Sequence, residues 1–224
     1  WKVGLTPEGA RASASHTGAM AGARDVCQGM LRQCGAIAVV GFEALTDALM
    51  GFSMLPSHPG NRMAIISGPG GLAVSAAEAC GREGLQLAEF TSKTRSDLAR
   101  LITFSGTSVR NPIDVSLTAH FDLEIFFQST RMAAADPGVD AIIVIGCGLT
   151  PETNQIYVDG LIRVQQESQI PILAVKIPGF DPKYSQQLCR GGIPFFDSAE
   201  RAVHTYALAV QYKNWLEKRS PNPI

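Results

Sequence analysis

The sequence predicts an α/β protein whose main body is a doubly wound, parallel β-sheet. Two observations lead there. From Met63 onward, short runs of Val, Ile, Leu and Phe alternate with longer segments of helical periodicity, and strands separated by helices pair in parallel through right-handed crossovers. The runs are continuously apolar rather than alternating, which is the pattern of strands covered on both faces. Of the 224 residues, 46% are hydrophobic and 17% charged. That balance excludes global disorder and supplies a core for one full domain plus a smaller unit.

The elements follow in order. Residues 1–53 read as part of one α/β unit: a strand at Trp1–Gly4, a helix from Ala19 to Cys34, a strand at Ala36–Val40 and a helix from Glu43 to Met50. Two strands bury too little to be secure alone. This unit therefore either packs on the next domain or has its other half upstream, and the start at Trp1 reads as a fragment of something longer. Residues 54–61 read as a linker, because Pro56, Pro59 and Gly60 suit neither a helix interior nor a central strand. Over 62–218 the candidate strands are Met63–Ser67, Leu85–Phe90, Ala141–Ile145, Ile172–Lys176 and Ile193–Phe196. The candidate helices are Leu72–Arg82, Thr94–Ile102, Phe121–Ala134, Glu152–Gln166, Lys183–Cys189 and Ser198–Glu217. In the last, Ala199, Val203, Tyr206 and Val210 form one stripe, with Ser198 as N-cap. Five strands fit a flavodoxin-like order.

Charge and cysteine content exclude several function classes. Nineteen Lys and Arg balance 20 Asp and Glu for a net charge of −1, so no bulk electrostatics point to nucleic acid or a polybasic membrane contact. Five cysteines with no CxxC pair argue against a disulfide framework or zinc ribbon and for reduced thiols of a cytoplasmic protein. No apolar run is long enough to span a bilayer.

Three places are suited to chemistry. The loop Ser67-Gly68-Pro69-Gly70-Gly71 follows a strand and opens a helix. Its glycines and the helix amides offer an anion site, with Gly68, Gly70 and Gly71 as the phosphate-binding candidates. The bland alternative is a tight turn without a ligand. Gly68, Gly70 and Ala73 also match the dinucleotide fingerprint, with Glu89 about twenty residues on, so an NAD-binding domain is a second reading. The second place is the switch point of the sheet, where Gly146-Cys147-Gly148 ends the third predicted strand and Asn111 and Asp114 lie in the preceding connection. Asn111 and Asp114 are equally readable as turn residues. The third is the small-residue stretch Gly9–Gly22 around His16. With few bulky neighbours the imidazole is free to approach another body and to carry a group covalently.

Lys2-Val3-Gly4 and the octet Ser15-His16-Thr17-Gly18-Ala19-Met20-Ala21-Gly22 resemble the phosphohistidine segment of the NDP-forming acyl-CoA synthetases. These are also called ADP-forming acetate–CoA ligases and are relatives of succinyl-CoA synthetase. The octet departs from the family pattern only in Met20 for Leu. Gly60-Asn61-Arg62, Gly68–Gly71, Asn111-Pro112-Ile113-Asp114 and Gly191-Gly192-Ile193-Pro194 resemble the following domain, so the likeness covers almost the whole chain.

The resemblance implies an acid–CoA ligase that interconverts acyl-CoA, phosphate and a nucleoside diphosphate with free acid, CoA and the triphosphate. It implies His16 as nucleophile on a mobile loop. The Gly68–Gly71 helix end would cradle the phosphoryl group, with Ser15, Thr17, Gly18, Asn111 and Asp114 as supporting candidates and no metal at the histidine. It further implies that residues 1–53 are the C-terminal half of a second flavodoxin-like domain. CoA, ATP or ADP and Mg2+ would be bound mostly by a CoA-binding domain and an ATP-grasp module outside this chain, and the protein would be a candidate homo-oligomer. The non-enzymatic alternative is a regulatory domain of an acetyltransferase-fused relative, against which the intact octet argues.

Overall fold

A computed structural model describes residues 1–17, 22–116, 122–148, 150–178 and 180–219. The chain order is α1 (Pro7–Thr17), α2 (Arg24–Cys34), α3 (Phe42–Met54), β1 (Arg62–Ser67), α4 (Gly70–Arg82), β2 (Gln86–Leu87), α5 (Ser92–Leu101), β3 (Ile113–Asp114), α6 (Leu123–Ala134), β4 (Ala141–Ile145), α7 (Pro151–Glu167), β5 (Ile172–Val175), α8 (Pro182–Arg190), β6 (Phe195–Phe196) and α9 (Ala199–Arg219). The sheet runs β2-β1-β4-β5-β6, all parallel. This is the flavodoxin-like arrangement that five alternating strands predict.

Strand periodicity divides the core into two layers. Ala64, Ile66, Ile142, Val144, Ile172 and Ala174 face one way, onto Leu98 of α5, Phe126 and Phe127 of α6, Tyr157 and Leu161 of α7 and Leu188 of α8. Met63, Ile65, Ile143, Ile145, Leu173 and Val175 face the other way, onto Ala73, Ala76 and Cys80 of α4 and Ala202, Val203 and Tyr206 of α9. The stripe expected on α9 is therefore the face that covers the sheet, and Ser198 Oγ accepts from the Arg201 amide at 3.3 Å as its cap.

One side chain completes the sheet where the ladder is interrupted. β2 pairs with the start of β1, whereas β3 pairs with its end, Ile66 with Ile113 and Ser67 with Asp114. Asn111 fills the interval. Its Oδ1 accepts from the Ile65 amide at 3.0 Å, and its Nδ2 donates to the carbonyls of Met63 at 2.8 Å and Ala88 at 3.0 Å. The expected strand Leu85–Phe90 is accordingly reduced to Gln86–Leu87, because beyond Ala88 the edge of β1 belongs to Asn111 and then to β3. The turn read for Asn111–Asp114 includes this short strand.

Residues 1–54 differ most from expectation. Pro7–Thr17 is a helix, whereas the resemblance implies a mobile loop around His16. Ala10, Ala12 and Ala14 have high helix propensity and Pro7 suits a first turn, so local preference decides. The predicted strands at Trp1–Gly4 and Ala36–Val40 join no ladder among the described residues. They line, with α2, a cavity of about 800 Å³. A strand exists through its neighbours, and an isolated pair is marginal in water.

This part is held against α9. Arg201 Nε and Nη2 grip Asp47 of α3 at 2.7 and 2.8 Å, and its Nη1 reaches Asp197 at 3.1 Å. Asp47 is 8% exposed, so the pair is largely shielded from water. At the far end, the Trp215 ring lies where a Cβ at Gly35 would sit, and Arg219 donates to the Gln33 carbonyl at 2.6 Å. Gly35 has a φ of 73° as the C-cap of α2, so both backbone and packing require glycine there.

Asp140 ties the segment before β1 to the sheet. Its carboxylate takes the Arg62 amide and Nε on Oδ2, both at 2.9 Å, and Nη2 on Oδ1 at 2.7 Å. Tyr206 Oη donates to the neighbouring Gly60 carbonyl at 2.9 Å. The Arg62 hydrogen bonds hold the Asp140 pKa below its usual value.

Two predictions follow from these contacts. A carboxylate with a depressed folded pKa contributes stability above its unfolded pKa of about 3.9, and loses it as pH falls through the folded value. Asp140→Asn is therefore less stable by about 1–2 kcal/mol at pH 7, solvent screening of Arg62 included. Urea denaturation at descending pH should show the gap to wild type closing below about pH 4. Asn111→Ala strands the Ile65 amide and costs about 2–3 kcal/mol in the same measurement; a loss under half a kcal/mol would contradict the bridging role.

Candidate active site

The site is built from the carboxyl edge of the sheet, where α4 to α9 all begin. Five of these six helices are closed by a side chain. Thr91 caps α5, Asp122 α6, Thr150 α7, Asp181 α8 and Ser198 α9. α4 begins after Pro69 with no side-chain cap. Ser67 Oγ, which precedes it, donates instead to the Pro69 carbonyl at 2.8 Å. The amides of Gly70 and Gly71 have no partner among the described residues. Open amides and the positive end of the helix dipole there face the crevice between β1 and β4, where the strand order reverses.

The glycines are not equivalent. The Gly68 amide donates to the Ile145 carbonyl at 3.0 Å and is occupied by the sheet. The phosphate-binding set expected from sequence thus contracts to Gly70 and Gly71. Around Gly71 a Cβ would meet open space, whereas at Gly70 it would come within 2.5 Å of Asp114 Oδ2. β3 brings that carboxylate beside Ser67, and its Oδ1 accepts the Ser116 amide at 2.8 Å. In the loop after β4 the described helix-opening amides are taken by side chains. The Gly148 amide donates to Asn154 Oδ1 at 2.9 Å, and burial pushes the Cys147 thiol pKa up, away from thiolate.

The other predicted residues fall as follows. Asn111 is engaged as a backbone bridge: both Nδ2 hydrogens are donated to backbone carbonyls and Oδ1 accepts the Ile65 amide, so it has no donor left for a ligand. His16 stands exposed in the last turn of α1. Ser15 is exposed one residue earlier, its Oγ bonded back to the Ala12 carbonyl at 2.9 Å. Thr17 ends the helix, and Gly18 lies outside the described residues. No hydrogen bond or ion pair among the described residues joins α1 to α4. The meeting of Gly70 with Asp114 has no local sequence signal, since 44 positions separate them.

Among the described residues, no group of three or more His, Cys, Asp or Glu side chains could hold a metal ion. No helix there is long and apolar enough to cross a membrane. None of the five cysteines forms a disulfide. Of the dinucleotide set, Ala73 is buried against the sheet at 3% exposure.

Residues 1–52 match the succinyl-CoA ligase like flavodoxin domain. A 4-hydroxybutyrate–CoA ligase (ADP-forming) of Nitrosopumilus maritimus is 30% identical over 100% of this chain and 31% of its own length. The alpha subunit of acetate–CoA ligase (ADP-forming) II of Pyrococcus furiosus is 30% identical over 95% of this chain and 47% of its own. The fold is shared with the dinucleotide-forming acetyl-coenzyme A synthetase 1 of Ca. Korarchaeum cryptofilum, solved with phosphate and ADP. The TM-score is 0.80 at 24% identity, covering 99% of this chain and 48% of that one. The chain thus spans less than half the length of these proteins. The relatives are CoA ligases, which favours neither the dinucleotide nor the regulatory reading. Along nearly the whole chain, the sequence is similar to ADP-forming acid–CoA ligases of the NDP-forming acyl-CoA synthetase family.

Proposed function

We propose that the chain is the phosphohistidine-bearing part of an acid–CoA ligase that couples acyl-CoA cleavage to nucleoside triphosphate formation. The observation that carries this reading is the uncapped N-terminus of α4 at the sheet's switch point, two free amides in a row where the neighbouring helices are closed. His16 is the nucleophile. A neutral ring nitrogen attacks the phosphorus of an acyl phosphate, the P–O bond to the acyl group breaks, and its electron pair leaves on the carboxylate. The Gly70 and Gly71 amides stabilise the equatorial oxygens as charge spreads over them. The exposed position of His16 suits a group that must reach more than one centre.

In this proposal residues 1–53 belong to one flavodoxin-like unit, 54–61 connect, and 62–218 form the second unit. CoA, ADP or ATP and Mg2+ are held by a CoA-binding domain and an ATP-grasp module of the complete enzyme. The enzyme works in the cytoplasm, on an organic acid whose pocket lies elsewhere.

The test is phosphorylation of the complete enzyme carrying this chain with labelled ATP and Mg2+. Wild type should acquire acid-labile, base-stable phosphate on His16, and His16→Asn should lose it about a hundredfold or more. Undiminished label on His16→Asn would overturn the assignment.

A further inference from the structure

A second cavity lies at the edge of the sheet opposite the mouth of α4. Both α4 and α9 begin at the carboxyl edge, so the turn Glu83–Leu85 after α4 and the last turns of α9 lie toward the amino edge. Helical rise puts them about 20 Å from the mouth. Between these segments and the end of α2 is a cavity of about 490 Å³, within the range of roughly 300–1,000 Å³ that small-molecule sites occupy. Ile37, Leu85, Val210 and Trp215 give it apolar walls, and Arg32, Gln211, Asn214 and Lys218 line it as well. Among the described residues, Arg32 and Lys218 join no ion pair. The side chains of Gln211 and Asn214 and the Trp215 Nε1 have no hydrogen-bond partner there either. The carboxylate that lines the cavity, Glu83, is held by His204 Nδ1 at 2.9 Å.

The uncommitted groups define what fits. Two cations stand on different helices, Arg32 on α2 and Lys218 on α9, and the indole and the two amides add donors. The adjoining cavity beside Phe42 and Glu43 differs. There Arg201 holds Asp47, His204 holds Glu83, and Ser75 donates to Glu200, so its charges are spent on one another. Apolar walls combined with unpaired cations complement an anion that carries an apolar body, and a guanidinium matches a carboxylate in its own plane. We propose that the cavity is a binding site for a small organic carboxylate bearing an aryl or branched apolar group. Its distance from the mouth of α4 makes it a regulatory site rather than a catalytic one. Because its walls come from α2 on one side and α9 on the other, a ligand there ties residues 1–54 to the sheet and stabilises that attachment by mass action.

The test titrates the chain with 3-phenylpropionate, with its neutral amide and with acetate, and follows the Trp215 indole N–H resonance. The aryl carboxylate should move that resonance in a saturable way, and the amide and acetate should each bind roughly tenfold more weakly, one for want of charge and the other of apolar area. Added salt should weaken the carboxylate. Arg32→Gln and Lys218→Gln should each lower its affinity about two- to fivefold, and the double variant roughly tenfold. Both side chains are exposed and without ion-pair partners, so these variants keep the fold. Lys218→Glu, read beside Lys218→Gln, should weaken binding further, an order that a packing role for the side chain does not produce. A Trp215 resonance that the aryl carboxylate leaves unmoved would overturn the proposal. So would equal affinities for carboxylate and amide, or full affinity in the double variant.

Discussion

The geometry of the site depends on how β1 is paired along its length. Its early residues hydrogen-bond to β2, its last two to β3, and the amide of Asn111 spans the gap between them. With that bridge in place, the chain emerges beside β1 at Ile113 and carries Asp114 to Ser67. Without it, the Ile65 amide would be left unpaired inside the sheet. Two residues, Pro112 and Ile113, separate the bridging amide from the carboxylate at the mouth of α4, so a structural interaction places the carboxylate there.

The same economy of space is visible at the other end of the domain. α9 covers the sheet with one face and carries residues 1–54 through Asp47, Gly35 and Gln33. A shielded ion pair is weak evidence of net stability but strong evidence of a fixed geometry, because removing one partner strands the other. Arg201 and Trp215 therefore fix where α3 and the end of α2 sit. The exposed apolar residues Val3, Val26, Met30 and Val40, together with the cavity beneath α2, leave this part with far less burial than the sheet. Its internal packing is looser than that of the sheet, although its attachment to α9 is specific.

At the switch point, similar loops acquire different chemical character. The loops after β1 and β4 are both rich in glycine, and both lead into helices. After β4, Asn154 and Thr150 satisfy the amides, so the helix end is closed. After β1, Pro69 supplies no side-chain acceptor, and the amides of Gly70 and Gly71 stay open. Glycine content alone does not make an anion site. The decisive feature is whether a neighbouring side chain has already taken the donors.

The sequence by itself determined the alternation of strands and helices, their order in the sheet, the buried stripe of α9 and the helix-opening glycine loop. Each rests on local periodicity or on residue types whose backbone preferences act within a few positions. His16 and its octet were also legible, because a motif is a contiguous string. Tertiary structure decided the rest. Trp1–Gly4 and Ala36–Val40 have strand-like composition, but a strand needs a paired neighbour. Gly68 looked like part of the cradle until its amide met Ile145 across the sheet. Asn111 proved to be a bridge and Asp114 a neighbour of Gly70, because register between distant segments places them, and register is fixed by pairing partners that no local pattern encodes.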